Sequence, residues 1–120
     1  MVVTVHEGLT RVIILYVLIC AAWGLANALR KRPVTDSYRT TLLIAEGLFV
    51  LQGVVGLELL SEGRAPAQWV HYLYGFLGII VLPSVIGFVG RGKRRESLWL
   101  GLTSLFLSGV AIRAMMTGQA

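Results

Sequence analysis

Much of what this chain could be is excluded by what it has little of. It carries one cysteine, three prolines, two histidines and six acidic residues. A single cysteine, Cys20, forbids an intrachain disulfide, and in its apolar surroundings it reads as a small packing residue. No zinc constellation, phosphate-binding loop or nucleophile with an adjacent base is present, so a hydrolase or nucleotide-driven machine has no support. Charge is scarce as well: 14% of the 120 residues are charged against 56% hydrophobic. With a mean hydropathy of +0.75, this is the composition of a membrane protein rather than a soluble one.

What is there is apolar sequence in four long runs, over 12–29, 40–57, 65–90 and 97–112. Each is long enough to cross a bilayer, which takes roughly 20 mainly apolar residues. Lipid offers no partners to backbone N–H and C=O groups, so the runs are expected to be helices. The expectation is an all-α membrane protein, a four-transmembrane-helix bundle in one domain, with helices over 5–30, 37–60, 66–90 and 96–118. Thr4 and Glu7 have capping-box spacing for the first helix, and Pro66 suits the first turn of the third. Pro33 should close the first helix, and Pro83 should kink the third. The opening "MVVTVHEGLTR" lacks a basic n-region, so no cleavable signal peptide is expected.

Eight of the eleven basic residues fall in two short segments: Arg30, Lys31, Arg32 and Arg39 in the first, Arg91, Lys93, Arg94 and Arg95 in the second. By the positive-inside bias these two loops face the cytoplasm. Both termini and the loop "SEGRAP" are then outside, in what is expected to be a prokaryotic plasma membrane. The high pI reports this orientation and an affinity for anionic lipid, not nucleic-acid binding.

The four helices read as two copies of one helical hairpin. Helix 1 opens with His6 and helix 3 with His71, and each runs into a basic loop. "LQGVVGLELL" in helix 2 and "LSGVAIRAMM" in helix 4 align Gly53 with Gly109. Two hairpins of the same orientation are related by an axis along the membrane normal, which brings His6 and His71 to equivalent depths. Two opposed imidazoles suit the axial positions of a haem iron. Gly75 and Gly78 follow His71 at i+4 and i+7 and would clear a slot on its face. Gly53 and Gly56 lie a turn apart in helix 2, and Gly101, Ser104 and Ser108 form a small-residue stripe in helix 4. Arg11 and Arg113 would meet haem propionates at the outer surface. The alternatives stay open: small residues serve close helix packing, and interfacial arginines snorkel to phosphate or pair with Glu7, Glu58 or Glu62.

The segment "LQGVVGLELLSEGRAPAQWVHYLYGFLG" resembles the haem A synthase family, with Gln52, Gly53, Gly56, Pro66 and His71 in the matching pattern. "GVAIRAMMTG" is similar to a second segment of that family through Gly109, Arg113, Thr117 and Gly118. The resemblance covers about half the chain. It implies a four-helix half-module in which two histidines at the outer ends of alternate helices ligate haem, here His6 and His71. Three features depart from the family: this chain begins with a histidine helix where the family begins with the glycine-rich one, it is a single module, and Gln68 stands where the catalytic module has a glutamate. A glutamine cannot ionise, so the resemblance does not imply oxidase activity here.

Glu46, an acid inside helix 2, is a functional suspect, and pairing with a basic cytoplasmic loop is its plainest use. Trp23, Trp69, Tyr72, Tyr74 and Trp99 read as interfacial anchors. The functional expectation is a b-type cytochrome-like protein holding one haem b between His6 and His71, for electron transfer or as a subunit of a membrane redox complex. A cofactor-free accessory subunit is the alternative, with a small multidrug-type transporter behind it. Expected partners are the lipid bilayer and other membrane subunits or a second copy. Of the two ligands, His71 is expected to be the better held, because His6 lies near a chain end that frays.

Overall fold

The structure is a computed structural model that describes residues 2–90 and 95–118. Four helices follow one another: α1 over Val2–Leu29, α2 over Asp36–Ser61, α3 over Val70–Val89 and α4 over Glu96–Gly118. All four are long and apolar enough to cross a membrane. The longest dimension of the bundle is 48 Å, more than the roughly 30 Å of a hydrocarbon core. Arg91, Lys93 and Arg94 of the second basic segment lie outside the described residues.

The helices pack as a ring. α1 contacts α2 and α4, and α3 contacts the same two, so α1 and α3 oppose each other across a diagonal. The α1–α4 interface is the most extensive and the α2–α3 interface the least. Glycines explain the first. A Cβ on Gly101 would lie 2.8 Å from the Leu25 backbone nitrogen, and one on Gly24 would lie 2.8 Å from the Gly101 Cα and also strike the Tyr38 hydroxyl. The two backbones touch because neither residue has a side chain, the usual device of helices that gain little from hydrophobic exclusion. Ser104 and Ser108 continue this stripe and are buried. Their hydroxyls donate to the carbonyls of Leu100 and Leu105 in their own helix, so burial leaves no donor unmet.

Around this seam the core is filled by Val17, Tyr38, Leu42, Leu82 and Leu100, with Cys20 fully buried among them as a packing residue. The outer faces are apolar as well, with Leu15, Leu57 and Phe88 at 63%, 67% and 93% exposure. Such faces suit lipid, not water.

Two expected caps are placed differently. α1 begins at Val2, so Thr4 lies inside the first turn and is not its cap. Pro66 stands in the loop before α3, which begins at Val70 after Trp69. The loop is instead tied down by the Gln68 N–H, which donates to the Thr117 carbonyl at 3.0 Å. α2 has a true cap, Thr35, whose hydroxyl accepts from the Tyr38 N–H. The C-termini of α1 and α2 close by the same motif. Arg32 N–H reaches the Asn27 carbonyl and Lys31 N–H the Ala28 carbonyl after α1, while Arg64 and Gly63 do the same with Leu59 and Leu60 after α2. The left-handed residue in that motif is Gly63 after α2 but Lys31, at φ 54°, after α1. Pro83 lies within α3, whose helical span runs through it from Val70 to Val89.

Candidate functional site

The helix diagonal places His6 of α1 opposite His71 of α3 near one end of the bundle. Their ring centroids are 6.2 Å apart with planes inclined at 62°. No hydrogen bond joins the rings. His71 Nδ1 lies 2.7 Å from the Ala114 carbonyl of α4. If Nδ1 carries the proton it donates there, leaving Nε2 with its lone pair free, the arrangement by which metal-binding histidines are commonly oriented. The Thr117 hydroxyl is 3.5 Å from the same nitrogen but donates to the carbonyls of Arg113 and Ala114.

His6 is held through its backbone. The Thr10 hydroxyl donates to the His6 carbonyl, which forces the Gln52 amide nitrogen to be the donor toward Thr10 Oγ. The same nitrogen donates to the His6 carbonyl at 2.8 Å. The Gln52 amide is thereby oriented, with both of its N–H groups engaged and Oε1 left over. Gln52 Oε1 and His6 Nδ1 are both buried and have no hydrogen-bond partner among the described residues. Buried polar atoms without partners are few in folded proteins. Two of them within one small cluster mark a place where polar valence is kept unused.

Glycines border both imidazoles. A Cβ on Gly56 of α2 would come within 3.5 Å of His6 Cε1, and one on Gly118 of α4 within 2.8 Å of His71 Cε1. Gln52, Gly56, Thr117 and Gly118, four residues of the short motifs singled out in the sequence, thus gather around the two rings. Gly75 and Gly78 do not make the slot expected of them. Gly78 is buried because the Phe49 ring fills its face, and Gly75 opens outward with nothing near it. The i+4 and i+7 spacing put them on a common side of α3, but that side is divided between a core contact and the exterior. Gly53 and Gly109, aligned by the repeat, also differ: Gly53 faces Ile79, and Gly109 has open space.

Arg11 and Arg113 are exposed, and neither forms an ion pair with a described residue. Arg113 borders a shallow apolar groove between α3 and α4 together with Tyr74 and Phe106. Among the described residues, no group of three or more His, Cys, Asp or Glu side chains could hold a metal ion. The histidine pair therefore offers two ligands and no more.

The opposite end of the bundle is closed. The Arg39 guanidinium donates to Glu96 Oε1 at 2.7 Å, and the Glu96 side chain is 9% exposed. The Ser97 hydroxyl donates to the Arg32 carbonyl and the Tyr38 hydroxyl to the Cys20 carbonyl. No protein-family model, characterised protein or solved structure matches this chain.

Proposed function

We propose that the protein is a small integral-membrane b-type cytochrome-like protein that binds one haem between His6 and His71. The observation that carries this reading is the diagonal histidine pair itself. Their ring centroids lie 6.2 Å apart across the bundle, so that both imidazoles could hold one metal-centred group. A bare zinc site takes three or four protein ligands, and a third is missing among the described residues. A haem would need no protein ligands beyond His6 and His71.

Two observations support the reading: His71 is oriented by the Ala114 carbonyl, and His6 is carried on a segment clamped by Gln52. Bound there, the haem would supply a one-electron couple between ferric and ferrous iron. The protein's part is to hold the ligands, exclude water and set the polarity around them. Gln68, where a catalytic acid would be needed, is a neutral amide, so electron transfer or haem carriage fits better than oxidation of a substrate. The basic end of the bundle faces the cytoplasm in this reading, with the histidine end and both chain ends outside.

Visible spectroscopy tests the proposal. The protein purified in mild detergent should show a sharp α-band on reduction, and extracted pigment should be protohaem at about one per chain. A colourless protein after expression with ample haem would exclude it. Labelling of a Glu62→Cys variant by an impermeant thiol reagent from outside the cell checks the orientation. Labelling only from the cytoplasmic side would reverse it.

A further inference from the structure

On the α3–α4 face of the bundle a cation stands at the end of an apolar channel. The groove between these helices, of about 290 Å³, is lined by Tyr74, Leu77, Leu105, Phe106, Gly109 and Arg113. Leu105, Gly109 and Arg113 follow one another at i+4, so they share one face of α4, with the guanidinium at one end and apolar surface leading away from it. Gly109 keeps the channel open. Nothing lies within 4 Å of where its Cβ would stand, so a larger side chain there would occupy the groove itself. Like Glu46, whose expected pairing with a basic loop is not formed with any described residue, Arg113 makes no ion pair with one, but its side chain is exposed at the mouth of the groove. No acidic side chain lines the groove. Arg113 stands about one and a half turns before the end of α4, and the contact of His71 with Ala114 sets the start of α3 beside it. There Trp69 and Tyr72 are exposed, as aromatic anchors at headgroup depth are.

We infer that this groove seats one anionic phospholipid, with its phosphate on Arg113 and an acyl chain along the apolar walls. The planar guanidinium matches phosphate oxygens through paired donors, and a concave apolar wall touches a chain on more sides than a flat helix face does. Both halves of the ligand are then met. A zwitterionic lipid brings a cation of its own beside the phosphate and gains less from the arginine. Free phosphate answers only the arginine, and a neutral lipid only the walls. A partner helix, about 10 Å across, would lie over the groove rather than in it. The site uses neither histidine ring, and the inference does not rest on the haem.

Lipid photo-cross-linking tests it on the full chain. The protein is reconstituted in phosphatidylcholine vesicles holding a trace of phosphatidylglycerol with a diazirine in its acyl chain, and the cross-linked residues are mapped by mass spectrometry. Cross-links at Leu105 and Phe106 should exceed those from the matching diazirine phosphatidylcholine by about tenfold, the factor of one charge-assisted hydrogen bond. Arg113→Gln should bring the two lipids level at these residues. Gly109→Leu keeps every charge but fills the channel, and it should remove the cross-links there. Helicity and lipid cross-links at the basic end should persist in both variants, separating loss of this site from loss of the fold. Equal labelling of the groove by the two lipids in the wild type, or an undiminished preference in Arg113→Gln, would overturn the inference.

Discussion

The two ends of this bundle are built from similar material and used differently. At the basic end, Arg39 meets Glu96, Ser97 caps the Arg32 carbonyl, Tyr38 reaches the Cys20 carbonyl, and Gly24 and Gly101 let two backbones touch. At the histidine end, two imidazoles face each other without a bond, and two buried polar atoms have no partner. A chain selected only for stability would have no reason to leave them so, because an unmet buried donor or acceptor costs about 1–3 kcal/mol. The basic end is closed by paired groups, and the histidine end leaves buried polar atoms without partners among the described residues.

That contrast is open to direct attack, most severely at the seam. Gly101→Leu would drive a side chain into the Leu25 backbone 2.8 Å away. It should destabilise the bundle by about 3 kcal/mol or prevent its folding, seen as a collapsed melting transition in detergent. A near wild-type melt would show that the helices can separate freely. Arg39→Ala removes the 2.7 Å contact with Glu96 and should cost about 2 kcal/mol, the value of a partly buried charged hydrogen bond. A double-mutant cycle with Glu96→Gln isolates the coupling, and zero coupling would reduce the pair to a surface contact.

At the other end the same class of change should matter less to stability and more to function. Gln52→Leu removes two hydrogen bonds to α1 but also one buried unpartnered oxygen. Its net cost should be about 1 kcal/mol or less, while haem occupancy should fall because the His6 segment loses its clamp. A large drop in melting temperature with normal occupancy would invert the division of labour. The smallest effect is expected at the α1 C-terminus, where Lys31 occupies a left-handed conformation at φ 54°. Lys31→Gly should stabilise the protein by about 1 kcal/mol, since glycine takes that conformation without strain.

Four apolar runs and two basic clusters were enough to anticipate the element count and every helix to within a few residues, because spans are set by length and hydropathy alone. Caps were harder. Thr4 and Pro66 carry the right chemistry near the right place, but α1 starts before the first and α3 after the second. The histidine pair was visible through the hairpin repeat, which requires no side-chain detail. Its surroundings were not. Whether a glycine faces a histidine ring, a core ring or the exterior depends on helix rotation, and Gly56, Gly78 and Gly75 each met a different one of these. The orienting contact of His71 comes from a backbone carbonyl, Ala114, for which the sequence carries no signal. His6 was expected to be the less firmly held because it lies near a chain end; α1 is helical from Val2, and the Gln52 amide donates to the His6 carbonyl. The asymmetry between the two histidines lies in the rings: His71 is aimed by a hydrogen bond, and the His6 ring is not.

The most direct test compares reduced-minus-oxidised spectra of the wild type, His71→Ala and His6→Ala. The wild type should show the sharp α-band of bis-histidine haem. His71→Ala should lose the haem altogether, and His6→Ala should retain a weakly held, five-coordinate haem with a shifted spectrum. A wild type without haem, or spectra that neither substitution alters, would contradict the assignment of this pair as the ligands.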